Sequence, residues 1–222
     1  MITEAVTKGL HPNIEMKDSG IEWIGLIPKH WDIKKGKYCL NLLLKPVRED
    51  DNVITCFRDG EVTLRSKRRE DGFTISLQEI GYQGIDIGDL IVHGMDGFAG
   101  AIGISDSRGK ASPVLNVIDT RNNNKRYIMY YLRSMANNGI FIALATGIRV
   151  RTCDTNWSKL RELPYLIPSN KEQNIIATFL DSKCAEIDSI IDDKQKQLDT
   201  LAEYRKSLIY EYVTGKKEVP IC

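Results

Sequence analysis

The chain has 222 residues, of which 42% are hydrophobic and 27% charged, with a formal net charge of +1. That length allows one large domain, or one domain with an appendage, and the composition is that of a soluble globular protein. No apolar run approaches the ~20 residues of a membrane span, and MITEAVTKGLHPN at the start has no apolar core like a signal peptide's, so the expectation is a cytoplasmic protein with no membrane role.

Near-neutrality conceals an asymmetry. Residues 29–169 hold 21 Lys and Arg against 16 Asp and Glu, whereas residues 1–28 and 170–222 are each acidic by two charges. A basic middle suggests a polyanion partner. The five Cys (Cys39, Cys56, Cys153, Cys184 and Cys222) are odd in number and form no CxxC pair, and there are only three His (His11, His30 and His93). Zinc has little to build on here, and reduced, mostly buried thiols are expected.

Residues 1–18 are polar and read as a loose leader. In residues 19–40, Trp23 and Trp31 bracket Ile24, Ile27 and Pro28, which predicts an extended segment packing its aromatics, then a short helix around residues 34–43. Residues 52–118 carry short apolar runs at 53–57, 61–64, 73–77, 89–93, 101–105 and 114–118, bounded by Gly, Asp or Ser. These read as strands joined by turns, with Asp59-Gly60 and Asp71-Gly72 as turn dipeptides. Gly97, Gly100 and Gly103 do not have GxGxxG spacing, and a tight strand–turn–strand fits them better than a nucleotide fingerprint. A polar turn at 122–124 precedes a helix over 125–135, with Ile128, Tyr131, Leu132 and Met135 on one side. Pro164 and Pro168 then impose an extended run.

Residues 171–213 contain neither Gly nor Pro. Leu180, Ile187, Leu201 and Leu208 recur at seven residues or a multiple, and a second row follows at Ile190, Ile191, Leu198, Tyr204 and Tyr212. The pattern predicts a long amphipathic helix with a coiled-coil seam, and assigns these residues to dimerisation. Lys194 and Gln197 interrupt the seam and are expected to set register or meet a partner. Ser169 or Asn170 can cap the start, and Gly215 stops the end. The fold class is therefore α+β: a mixed α/β domain with a twisted, largely antiparallel sheet, followed by a long C-terminal coiled-coil helix.

No catalytic set persuades. GxxxxGK[ST], [DN]PP[YF], HExxH and GxSxG are all missing from the sequence. Asp86, Asp89 and Asp96 fall on strand ends and turns and read as turn and surface residues, with no Lys nearby in the sequence to complete a metal-nuclease site. What stands out is a binding signal. Arg58, Arg65, Lys67, Arg68 and Arg69 crowd into twelve residues, in and around a hairpin containing VTLRSKRRED. Tyr82 and Gln83 follow, and Lys110, Arg149 and Arg151 add charge from loops elsewhere. Such residues suit contacts to phosphates and base edges; a solvated, charged hairpin is the alternative.

Three stretches resemble the specificity subunit of type I restriction–modification systems. SGIEWIGLIPKHWDIKKGK is similar to that family's opening segment. GYQGIDIGDLIVHGMDGFAGAIGISDSRGKASPVLNVI resembles one kind of target-recognition domain. NWSKLRELPYLIPSNKEQNIIATFLDSKCAEIDSIIDDKQKQLDTLAEYRKSLIYEYVTGK resembles the family's conserved helical region, with its Pro-rich run, the "EQ" at the helix start, "FLD", "EID" and "VTGK". The likeness covers nearly the whole chain after residue 18. It implies a target-recognition domain at 19–169, a helix for dimerisation and subunit docking at 170–215, and a tail at 216–222. It also implies a non-catalytic chain that binds double-stranded DNA, with no cofactor of its own. S-adenosylmethionine would belong to methyltransferase (modification) subunits, and ATP and Mg to a restriction and translocase subunit. A full specificity subunit is typically about twice this length, so the chain resembles a half-subunit. Pairing as an antiparallel homodimer would then place two recognition domains at opposite ends of the helices. The family's base-reading residues vary, so none is carried over. The competing expectation is a coiled-coil adaptor, or an inactive truncated form without a DNA target.

Overall fold

The computed structural model describes residues 1–68, 79–144 and 155–218. The chain divides into two units, Met1–Ala177 and Thr178–Cys222. Helix α1 (Ile2–Lys8) is followed by β1 (Met16–Asp18), β2 (Leu26–Pro28), β3 (Asp32–Lys35), α2 (Gly36–Cys39) and β4 (Asn41–Leu43). Then come β5 (Ile54–Cys56), β6 (Val62–Leu64), α3 (Arg65–Arg68), β7 (Gln83–Ile85), β8 (Leu90–His93), a 3₁₀ turn (Gly97–Ala99), β9 (Ile102–Ile104), β10 (Gly109–Ala111) and β11 (Leu115–Asp119). Helices α4 (Lys125–Asn137), α5 (Ile140–Ala143) and α6 (Trp157–Leu160) precede β12 (Pro164–Ile167) and α7 (Asn170–Val213). The class is α+β, with antiparallel sheets and a long C-terminal helix, as the sequence patterns predict. The expected strand at 73–77 and the Asp71-Gly72 turn lie outside the described residues.

The central sheet has the order β4-β11-β8-β9, all antiparallel. Its inner strands carry unbroken apolar runs because both faces are covered: Leu90, Ile91, Val92 and Val117 have no exposed surface. Asn116 is the buried polar residue of β11. Its Nδ2 donates to the Val92 carbonyl at 3.1 Å, so the buried amide is not left without a partner. Ile54, Cys56 and Val62 of the β5–β6 hairpin join one core with Ile85, Ile91 and Leu115. At the hairpin tip, Asp59 Oδ1 accepts from Glu61 N at 3.1 Å, and Gly60 adopts φ 93°. A Cβ on Gly103 would lie 1.9 Å from the Gly60 carbonyl oxygen, so β9 must be glycine there for the hairpin tip to approach it.

Two expectations are corrected. The first 18 residues are not a loose leader: α1 buries Ala5 and Val6, and β1 pairs with β2. Tyr127 Oη donates to the carbonyls of Val6 at 3.3 Å and Leu166 at 3.0 Å, which ties α1 to the body of the unit. Nor is there a helix over 34–43. β3 pairs with β12, α2 spans only four residues, and Leu40 returns to an extended conformation to lead into β4. Gly36 permits the close approach of the segment before β12: a Cβ there would meet the Leu160 carbonyl oxygen at 2.3 Å. In the extended segment before it, Trp31 and Ile27 are fully buried and Trp23 half-buried, which is the expected packing role. Helix α4 is capped by Asn124, whose side chain accepts from Arg126 N and Tyr127 N, and it buries Ile128, Tyr131, Leu132 and Met135.

Helix α7 begins as a stitched joint. Ser169 Oγ accepts from Glu172 N at 3.3 Å. Glu172 then accepts from Trp31 Nε1 at 3.0 Å and lies 2.9 Å from His30 Nε2. Gln173 is fully buried: its Nε2 donates to Asn123 Oδ1 and the Pro168 carbonyl, and its Oε1 accepts from Asn124 N at 2.8 Å. The helix then runs 44 residues to Val213, and Gly215 follows at φ 71°. Cys39 and Cys56 are free and buried; desolvation raises the Cys39 thiol to about 11 and Cys56 higher still. Among the described residues, no helix is long and apolar enough to cross a membrane.

Candidate nucleic-acid interface

A cavity of about 620 Å³ opens beside the β5–β6 hairpin, α3 and the turn after β8. It brings together three of the predicted DNA-binding residues, Arg58, Arg65 and Arg68, with Phe57, His93 and Asp96. The local structure differs from the expected charged hairpin. Arg58 lies beside the hairpin turn, whereas Arg65, Lys67 and Arg68 ride on the helical turn α3 after β6. Arg69, Arg149 and Arg151 lie outside the described residues.

Most of these cations already face carboxylates. Arg58 Nη2 lies 2.9 Å from Asp96 Oδ1. Arg68 reaches Asp59 at 2.5 Å and Glu61 at 2.7 Å, while its guanidinium carbon sits 4.0 Å above the Phe57 ring centroid. The hydrogen bond from Arg68 holds the Asp59 carboxyl below its ordinary range. Lys67 is 3.3 Å from Asp106 and donates to Ser107 Oγ at 2.7 Å. Arg65 Nε donates to Thr55 Oγ1 at 2.9 Å. Such surface pairs contribute only about 0–1 kcal/mol each, so a phosphate can displace a carboxylate from them. What the cavity offers is therefore a set of oriented guanidinium donors and one aromatic stack, with little net field.

His93 supplies a fixed acceptor. Its Nδ1 accepts from Met95 N at 3.2 Å and Asp96 N at 3.0 Å, so in the neutral ring the proton is on Nε2. Burial lowers its pKa below the usual 6.5. Neither Phe57 nor His93 was singled out from sequence. The signal for His93 was slight, a lone His at the end of an apolar strand run before Gly94.

The other predicted contacts fall elsewhere. Gln83 is 6% exposed and its Nε2 donates to the Leu115 carbonyl at 2.6 Å, so it is committed inside the fold. Tyr82, next to it, is half-buried. Lys110 stands on strand β10 and not in a loop, and its Nζ lies 2.7 Å from Glu79. Asp86 and Asp89 both bind Lys45, a Lys distant in sequence and not expected beside them; Asp89 is buried, not at the surface as expected, and its Oδ2 also accepts from Asp86 N.

On α7, Ile187, Ile190, Ile191, Leu198, Leu201, Tyr204 and Tyr212 are 40–61% exposed in the single chain, and Leu208 is half-exposed. Leu180 is the exception among the seam residues, being fully buried within one chain. At the polar break, Lys194 Nζ donates to Gln197 Oε1 at 3.1 Å.

No family model matches the sequence, and no curated protein sequence matches it. The chain is similar to several solved structures. The HsdS subunit from Thermoanaerobacter tengcongensis is 12% identical over 85% of this chain, with a TM-score of 0.48. A chain from a structure described as showing complex assembly and conformational transition of the type I R-M system is 14% identical over 92% of this chain, with a TM-score of 0.50. The chain spans 42% and 49% of the length of those two chains, about half of each. At 14% identity the second likeness is one of fold.

Proposed function

We propose that the chain is a non-catalytic half-subunit that gives a type I restriction–modification complex its DNA specificity. It reads one half of a bipartite target in double-stranded DNA and pairs through α7 with a second copy of itself. Methyl transfer and ATP-driven translocation and cutting are carried out by separate modification and restriction subunits, with S-adenosylmethionine, ATP and Mg bound there. The observation that carries this reading is the fold: 92% of the chain matches about half of a chain from a type I system. The buried Gln173 in the "EQ" of the helical motif supports it, because the family-like residues sit where they join α7 to the folded unit.

Methylome sequencing with this gene present and deleted tests the proposal. An adenine-methylated, two-part inverted motif should disappear on deletion, and the chain should co-purify with a modification subunit. An unchanged methylome without co-purification would refute it. A coiled-coil adaptor with no DNA target is the second reading, favoured by the pairing of Arg58, Lys67 and Arg68 with carboxylates. Retention of dimerisation with no measurable affinity for duplex DNA distinguishes it.

A further inference from the structure

We infer that the face built by β3, α2 and the residues leading into β12 is a second DNA-contacting surface, separate from the hairpin cavity, which grips the phosphate backbone of a duplex. The inference rests on the DNA-binding reading and goes beyond it by assigning residues that the charge cluster on the hairpin does not include.

The contrast between the two surfaces is one of neutralisation. On the hairpin, Arg58, Lys67 and Arg68 face four carboxylates, Asp59, Glu61, Asp96 and Asp106. On the β3–α2 face, three cations converge on one carboxylate: Lys35, Lys37 and Arg161 lie 3.2, 3.6 and 3.7 Å from Glu162. One charge cannot balance three, so an excess of two cations stays in solvent. Lys34, beside them, is 3.5 Å from Asp32, and both are well exposed. Arg121 adds a further charge, held by oxygens that carry none. Its guanidinium donates to the carbonyls of Tyr38 at 3.0 Å and Lys37 at 3.3 Å, and to Asn41 Oδ1 at 2.8 Å. Asp119, across the strand pair from Asn41, is the remaining carboxylate on these elements.

The residues are contiguous. Lys37 N donates to the Arg161 carbonyl at 2.7 Å, and Lys35 is in register with Pro164. An open groove runs along Ile33, Lys34, Lys35, Lys37 and Tyr38. Uncompensated cations on a shallow surface suit phosphate contacts, whose binding free energy comes largely from released counterions. Tyr38 is 63% exposed and is the one exposed aromatic of the groove. A single-strand groove would present several aromatics for successive bases to stack on, so the chemistry favours duplex backbone.

The test uses the full chain and a labelled mixed-sequence duplex of about 40 base pairs, titrated between roughly 50 and 200 mM salt. The combined variant Lys34→Gln, Lys35→Gln, Lys37→Gln should make the slope of log affinity against log salt shallower by about 2–3, at ~0.9 per lost phosphate contact. Glu162→Gln removes a competing negative charge and should tighten binding and steepen the slope; as a gain of affinity, that result cannot come from misfolding. A wild-type slope in the triple variant overturns the inference and leaves the proposed function standing. A wild-type chain that binds no duplex at the lowest salt removes both. If the triple variant loses affinity for polyglutamate or single-stranded RNA but not for the duplex, the surface serves another partner and the inference fails.

Discussion

His93 shows how a single side chain makes the Met1–Ala177 unit sensitive to acid. Its Nδ1 is occupied by two backbone N–H groups, those of Met95 and Asp96. Protonating that nitrogen would set N–H against N–H, and burial opposes the charge as well. The folded pKa is therefore below the unfolded one, and the folded state binds fewer protons. Stability is fully present above the unfolded value of about 6.5, falls as pH drops below it, and levels off once the folded ring also protonates. Thermal melts between pH 7.5 and 5 should show a drop that His93→Asn reduces, since an Asn oxygen can accept the same bonds without titrating. Equal slopes for wild type and variant would remove His93 as the cause. At this scale the sequence was a partial guide. Arg58, Arg65 and Arg68 stand out in the sequence because charge density is visible in one dimension. Gln83 looked like a base reader only because its burial depends on Leu115, 32 residues away. Lys34, Lys35 and Lys37 do not stand out in the sequence, because they follow directly on the buried Trp31 in a segment that reads as packing.

Among the elements, the start of α7 is held by a buried polar cluster that mutation should disrupt. Gln173 serves three partners from inside the fold, Asn123 Oδ1, the Pro168 carbonyl and Asn124 N. Orphaning buried polar groups costs about 1–3 kcal/mol each, whereas losing an exposed cap such as Ser169 costs about 1 kcal/mol. Gln173→Ala should therefore destabilise by about 2–4 kcal/mol in urea melts, clearly more than Ser169→Ala. A smaller effect of Gln173→Ala would mean that water replaces its bonds. The long elements were legible: α4 and α7 repeat their apolar spacing over enough residues to outweigh local noise. The misread ones are short. Helix α1 has just two buried residues in a polar stretch, and α2 is cut to one turn because β3 is claimed by β12, more than 120 residues away. Pairing at that distance leaves no local pattern to read.

For the whole molecule, the seam of α7 leaves a row of large apolar side chains 40–61% exposed, and the charges along it favour one direction of pairing. Residues 181–193 carry Asp181, Glu186, Asp188, Asp192 and Asp193 against Lys183 alone. Residues 194–206 carry Lys194, Lys196, Arg205 and Lys206 against Asp199 and Glu203. A parallel pair sets acidic half against acidic half. An antiparallel pair with its two-fold axis near Lys194 sets acidic against basic and brings Ile187 opposite Leu201, two residues of the same heptad row. The 44-residue helix spans about 66 Å at 1.5 Å per residue, and light scattering should report a dimer or concentration-dependent association. Direction is tested by cysteines in a Cys184→Ser background. Lys194→Cys, close to the axis, should cross-link to its own copy. Ile187→Cys alone and Leu201→Cys alone should not, because their copies lie far apart, but a mixture of the two should form the disulfide, which requires Cα atoms within about 7 Å. Efficient self-linking of Ile187→Cys would establish a parallel pair, which overturns the antiparallel arrangement and sets the two recognition domains side by side with a shorter spacer between half-sites. A strict monomer at micromolar concentration would return the exposed seam to some other partner.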